Sequence, residues 1–218
     1  MRQHALSDIQ ITEALQPYGI QITEDQCTSI SIYINKLQIW NAAVSLTALE
    51  DPLEIVRRHF GESLFAASLQ PMSFGRLADV GSGAGFPGLA LRIMHPGLTV
   101  TLLEPNLKKA AFLKEVCQTL SLSGVEIART PYENYADTSK FDFICSRALG
   151  NYRAMLKWAR TAITPEGTAL LWLGVDDSIL IGRTPGWNWE LPVKIPESRR
   201  RVILCGRPVK FVSRETFR

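Results

Sequence analysis

At 218 residues, with 46% hydrophobic and 21% charged side chains, the chain suits one α/β domain of ordinary to large size with an appended helical piece. No apolar run approaches the ~18 residues of a membrane span and no signal-peptide core is present, so a cytoplasmic protein is expected. The net charge of +3 permits a polyanionic partner without demanding one, although Lys194, Arg199, Arg200, Arg201, Arg207, Lys210, Arg214 and Arg218 face only Glu197 and Glu215 near the C-terminus.

Residues 1–70 read as helices. Leu6, Ile9, Leu15 and Tyr18 mark a short opening helix, and Thr23-x-x-Gln26 is a capping box followed by Cys27, Ile30, Tyr33, Ile34, Leu37 and Trp40 at helical spacing. Asp51-Pro52-Leu53-Glu54 is a second start signal, after which Leu53, Val56, Phe60, Leu64 and Ala67 trace one apolar stripe. Residues 1–70 are expected to form a helical extension packed on a single compact unit, 71–218.

From Leu77 the pattern becomes alternating strands and helices. Strands are predicted at 77–80, 99–103, 124–128, 141–145 and 168–173, with helices near 87–94, 106–121 and 151–162. That alternation specifies a doubly wound, mostly parallel sheet. After a short helical stretch near 176–181 and a turn-rich run from Thr184 to Asn188, segments 189–195 and 201–205, with 210–212 beyond, are expected to supply a hairpin whose last strand is antiparallel.

The stretch Asp79-Val-Gly81-Ser82-Gly83-Ala-Gly85-Phe86-Pro87-Gly88 follows the first strand. Its alternate glycines carry the backbone through a turn where a Cβ would clash with the chain or with a ligand on it. Strand, loop and helix start form a cradle of backbone N–H groups suited to part of a nucleotide-like cofactor. A dinucleotide fingerprint needs glycine where Phe86 stands; the spacing here is G-x-G-x-G. Glu104, ending the next strand, can accept hydrogen bonds from both ribose hydroxyls, yet NAD enzymes place an acid there too, so Glu104 supports a nucleoside without choosing between cofactors.

Ligands of open α/β sheets lie beyond the carboxyl ends of the strands. The third strand leads into Arg129-Thr-Pro131-Tyr132-Glu133, able to flank an adenine, and the fourth into Ser146-Arg147-Ala148. The Arg147 guanidinium suits a phosphate, a cofactor carboxylate or the N7/O6 edge of guanine, and the sequence leaves these three open. No [Asn/Asp/Ser]-Pro-Pro-[Tyr/Phe] motif occurs, Cys145 lies within a strand with no proline after it, and no carboxylate cluster marks a metal site. An acceptor that carries no proton, such as guanine N7, accounts for these absences because its methylation needs alignment and no base. Cys27, Cys117, Cys145 and Cys205 form no C-x-x-C and His4, His59 and His95 show no ligand spacing, so free thiols and no metal are expected.

In these features the chain resembles the bacterial 16S rRNA guanine-N7 methyltransferases, also called glucose-inhibited division protein B. The resemblance runs over most of the chain, through Trp40-Asn41, Leu46-Thr47, Asp51-Pro52, Arg58-His59, the glycine motif with Phe86-Pro87-Gly88, Leu102-Leu103-Glu104, Phe112-Leu113, Glu133 and Phe141-Asp142-x-x-x-Ser146-Arg147-Ala148. It implies a Rossmann-like methyltransferase fold using S-adenosylmethionine (SAM), acting on the 16S rRNA of the small ribosomal subunit or its precursor, at guanine 527. Gly81, Phe86, Tyr132, Glu133 and Arg147 fall at the family's SAM contacts, with Asp79, Ser82, Gly83, Gly85 and Glu104 completing the cofactor set. His59, Arg129, Arg199 and Arg200 are expected to meet RNA, and nothing calls for more than a monomer. Departures occur at Leu173, where the family has lysine, at Pro131, where it has arginine, at Ser45, and at Glu62-Ser63, where it has Asp-Ser. These leave room for a second reading, a diverged SAM- and RNA-binding relative of weak activity acting on ribosome assembly. A nicotinamide dehydrogenase is a third, opposed by Phe86.

Overall fold

A computed structural model describes residues 6–210. Helices α1 (Asp8–Leu15) and α2 (Glu24–Val44) both begin with capping boxes, Ser7 with Gln10 and Thr23 with Gln26, each satisfying two otherwise unpaired donors. Asp51 caps α3 (Pro52–Ile55), accepting from the Glu54 N–H. The helical path then widens into a π segment, Val56–Gly61, before α4 (Glu62–Leu64) and a final 3-10 turn, Phe65–Ser68. The expected stripe is altered there. Val56, Phe60 and Leu64 are buried, but the wide turn also brings Glu62 and Ser63 inside. Gly61 is obligatory at this point, because a Cβ would lie 2.5 Å from the Tyr18 ring.

The sheet comprises β1 (Phe74–Val80), β2 (Gly97–Leu103), β3 (Val125–Ala128), β4 (Phe141–Arg147), β5 (Ile163–Gly174), β6 (Trp187–Trp189), β7 (Val193–Lys194) and β8 (Arg201–Pro208). Helices α5 (Gly88–Met94), α6 (Leu107–Thr119), α7 (Tyr152–Ala162) and α8 (Val175–Ile181) connect them. Strand order is β3-β2-β1-β4-β5-β8-β6, with β7 also paired to β8. The first five strands run parallel, and β8 is antiparallel to β5. The chain therefore steps outward from β1 to β3 and restarts on the other side at β4. The switch point lies between the carboxyl ends of β1 and β4.

Leu77, Leu102, Cys145, Leu170 and Ile203 enter one buried cluster with α1, α2, α5, α6 and the π segment. Their neighbours Ala78, Leu103, Ile144, Leu171 and Leu204 enter a second, with Met155, Leu156 and Ala159 of α7. Both sheet faces are covered, so the central strands read as continuous apolar runs. Several boundaries differ from the sequence expectation, with β2 starting at Gly97 and β4 running to Arg147 among them. Strand β1 starts at Phe74, and its exposed first residue and half-buried Gly75 and Arg76 pair with β2 ahead of the apolar core. Strand β5 starts at Ile163 and absorbs Pro165 at an irregularity opposite Phe141 and Phe143, a position where a missing N–H costs no ladder bond. The expected closing hairpin forms between β7 and β8, with β8 antiparallel to β5, but β8 runs on to Pro208 and also takes β6 as a partner. The expected extension at 210–212 leaves the described residues after Lys210.

Candidate functional site

The glycine loop leaves β1 with positive φ at Gly81 (75°), Gly83 (57°) and Gly85 (85°). Gly81 N–H donates to Leu103 O (2.9 Å) and Gly85 N–H to Ser82 O (2.7 Å), which folds the bend back on itself. Glu104 stands at the tip of β2, where one carboxylate oxygen accepts from Gly83 N–H (2.8 Å) and the other from Asn106 N–H (2.8 Å). Each oxygen keeps further acceptor capacity. Nothing lies nearer than 3.8 Å to a Cβ built on Gly83, whereas one on Gly81 would meet Leu149 at 3.2 Å. The loop is thus open at 83 and bordered at 81.

Asp79 and Ser82, both expected at the cofactor, are turned beneath the loop. Asp79 Oδ2 accepts from Gly88 N–H (2.9 Å) and Ser82 Oγ donates to Asp79 O (2.8 Å), so they hold the bend to α5. Burial pushes the Asp79 carboxyl up to about 7, opposed by the Gly88 N–H and the Cys145 thiol, and reinforced by the charge of Glu104. A carboxyl raised in the folded state favours folding at low pH, and that contribution is lost as pH rises from about 4 towards 7. Thermal stability should therefore fall between about pH 4 and 7, and Asp79→Asn should flatten that slope in melting curves.

Phe86 is also inside. It stacks on Tyr33 (5.2 Å, 17°) and on His59 (4.7 Å, 18°), with Phe60 edge-on at 5.0 Å. Tyr33 Oη donates to Ala84 O (2.5 Å), locking α2 onto the loop. Phe86 is 6% exposed, and its ring belongs to the buried core.

Across the switch point, Arg147 ends β4 in register with Trp172 of β5. Its Nη2 donates to His59 Nδ1 (3.2 Å) and lies 3.7 Å from Glu62 Oε2. Arginine cannot accept, so Nδ1 carries no proton and His59 Nε2–H donates to Thr47 Oγ1 (2.7 Å). Burial and the charge of Arg147 push His59 down to about 3, which keeps the imidazole neutral. Thr47 is pinned in turn by Asn41, through Thr47 N–H to Asn41 Oδ1 and Asn41 Nδ2 to Thr47 O, each 2.8 Å. His59, expected to meet RNA, therefore has both ring nitrogens engaged and props Arg147. Arg147 Nη1 is buried without a partner.

Glu62 and Arg201 were outside the expected site. Glu62, 1% exposed, takes Arg201 Nη2 on Oε1 (2.5 Å), and its backbone oxygen accepts from Trp172 Nε1 (2.7 Å). The available signal was a carboxylate inside the apolar stripe between Phe60 and Leu64. Of the basic triplet, Arg201 turns inward, while Arg199 and Arg200, the expected RNA contacts, are exposed. Arg57, Arg58, Arg199 and Arg201, with Glu54 and Glu197 among them, surround a cleft of about 270 Å³ above Glu62. Tyr132, on a 3-10 turn after β3, leans on Trp158 (5.5 Å), with Glu133 and Arg129 exposed beside it. Leu173, at the position of the missing lysine, is buried in the α7-side cluster, away from Glu62.

The geometry offers a nucleoside two handles: an acid with spare acceptor capacity beside an open glycine, and a buried guanidinium with an unused N–H pair. Among the described residues no three His, Cys, Asp or Glu side chains gather to hold a metal, and no helix is long and apolar enough to cross a membrane.

Residues 26–179 match the family described as rRNA small subunit methyltransferase G. A ribosomal RNA small subunit methyltransferase G of Chloroflexus aggregans is 34% identical over 170 residues, 76% of this chain and 71% of that protein. One from Xylella fastidiosa is 38% identical over 186 residues, 83% and 87% respectively. Among solved structures, a ribosomal protein L11 methylase from Lactobacillus delbrueckii subsp. bulgaricus superposes with TM-score 0.61 at 14% identity, over 71% of this chain and 80% of that one, a likeness of fold. On the extent of the family match and the identity to these relatives, this chain belongs to the rRNA small subunit methyltransferase G family.

Proposed function

We propose that this protein transfers a methyl group from SAM to N7 of a guanine in 16S rRNA, at position 527, acting on the small ribosomal subunit or its precursor as a monomeric cytoplasmic enzyme. In this reading residues 1–70 are a helical extension of the methyltransferase unit 71–218. The observation that carries the proposal is the paired grip at the switch point, Glu104 beside Gly83 on one side and the unpartnered Arg147 Nη1 on the other. Family membership supports the substrate class.

SAM supplies an electrophilic methyl on a sulfonium. Glu104 would accept from the ribose hydroxyls, the Gly81–Gly85 backbone would lie along the ligand, and Tyr132-Glu133 would flank the adenine. Arg147 Nη1 is placed to bind the amino-acid carboxylate or the guanine edge. N7 carries a lone pair and no proton, so the residues need only align it and exclude water, a contribution of roughly 7–11 kcal/mol in well-oriented pairs. The site matches that demand: His59 is neutral with both nitrogens engaged and Asp79 is sealed under the loop, so neither is free to act as a base. Exposed Arg129, Arg199 and Arg200 would hold phosphates, which makes RNA affinity fall linearly in log–log with salt.

Tritium from labelled SAM should enter 16S rRNA with multiple turnovers on small subunits or their precursors, and mapping should place it at N7 of one guanine. SAM binding without multiple turnover would support the diverged, weakly active relative instead. NADH binding in place of SAM would overturn both.

A further inference from the structure

Glu62 touches both the arginine beside the glycine loop and the arginine at the floor of the surface cleft. Its two oxygens are divided between them: Oε1 takes Arg201 at 2.5 Å, while Oε2 has no hydrogen bond and sees Arg147 only at 3.7 Å. The side chain is only 2% exposed, and Trp172 Nε1 anchors the residue's backbone oxygen at 2.7 Å, so the carboxylate stays between the two arginines. A buried carboxylate is tolerated only with its partners in place, so the three groups form one unit. That unit is saturated at the Arg201 end and under-satisfied at the Arg147 end, where Nη1 also lacks a partner. Arg201 opens onto the cleft with Arg57, Arg58 and Arg199, against the carboxylates of Glu54, Glu62 and Glu197, and the excess of guanidinium groups suits a phosphate of the RNA strand.

We propose that Glu62 is a positioning residue that ties Arg147 to Arg201 and thereby couples the cofactor crevice to the RNA-facing cleft. The proposal rests on reading the crevice as the SAM site and the cleft as RNA-facing. A phosphate that draws Arg201 outward releases Oε1 and changes the charge that Arg147 faces. RNA then alters SAM affinity, and SAM alters RNA affinity by the same factor.

The test compares the wild type, Glu62→Gln and Glu62→Asp. SAM affinity is measured by calorimetry with and without a 16S rRNA fragment containing the target guanine, and guanidinium rotation is followed by 15N NMR of the arginine side chains. The wild type should show a coupling factor of at least about fivefold. Glu62→Gln should bring that factor close to one and speed the rotation of both the Arg147 and Arg201 guanidinium groups, Arg147 keeping its bond to His59. Glu62→Asp, which keeps the charge with a shorter reach, should fall between. A side chain that only fills space would leave the coupling factor unchanged in folded protein.

If Glu62→Gln keeps the wild-type coupling, or the wild type shows none, the proposal is overturned. If Glu62→Gln does not fold, Arg201→Gln leaves the carboxylate to Arg147 alone and should abolish the coupling by itself; retained coupling there overturns the proposal as well. The NMR arm needs no ligand. Faster rotation of both guanidinium groups in a protein that never binds SAM would uphold the tie and reject the cofactor reading, whereas two unmoved guanidinium groups would reject the tie.

Discussion

Arg147→Ala should cut kcat/KM for methyl transfer into small-subunit rRNA by about a hundredfold or more, the scale of loss when a reacting pair is misaligned. SAM affinity should fall by about tenfold in calorimetry, since a charged hydrogen bond of roughly 1.5 kcal/mol or more disappears. The variant should also melt earlier. Glu62 would keep only Arg201, and His59 Nδ1 would lose its donor inside the protein. Breaking a buried ion pair costs about 3–5 kcal/mol, and the surviving Arg201 contact places this case near the lower end. Arg147→Lys should not rescue activity, because one nitrogen cannot stand both at Nη2, beside His59 and Glu62, and at Nη1, the position left for a ligand. Wild-type kcat/KM in Arg147→Ala would remove the guanidinium from the proposed grip.

Gly85→Ala and Gly83→Ala should separate the glycine that the fold requires from the glycine that a ligand requires. At Gly85, φ is 85° and a new Cβ would run into the Tyr33 hydroxyl and come within 2.9 Å of Leu89 Cδ1. Left-handed strain of roughly 1–2 kcal/mol adds to overpacking of roughly 1–3 kcal/mol. Melting should therefore fall by several degrees at about 2–4 °C per kcal/mol. Gly83 has open space around it and φ 57°, so its alanine variant should carry only the backbone strain. It should instead lose SAM affinity, because the added methyl occupies the ligand's side of the bend. Equal melting temperatures for the two variants would contradict this division.

The glycine loop, Glu104 and the strand order around them were legible because they belong to one βαβ unit. There, strand length and parallel pairing of β1 with β2 bring residue 104 to residue 83 whatever the rest of the chain does. The capping boxes were equally local. Side-chain direction at the site was not. Asp79, Ser82, Phe86 and His59 stand where the sequence placed them, yet they face inward, since each satisfies a buried partner that spacing does not reveal. Glu62 stood out in the sequence only as a departure from the family pattern, because it is the π segment that rotates the helix and brings this carboxylate onto the apolar face beside Arg147.

By itself, then, the chain's order of residues determined the α/β class, the helical start, the family resemblance and the glycine loop with Glu104 beside it, all products of contacts within a few turns or one crossover. Only the tertiary structure decided that Arg147, His59, Glu62 and Arg201 form one cluster. They arrive from β4, the π segment, α4 and β8, elements that meet because β4 pairs with β1 and β8 inserts antiparallel against β5. Long-range pairing of that kind is set by how both faces of the sheet bury their apolar side chains together, and no single segment of the chain carries that information.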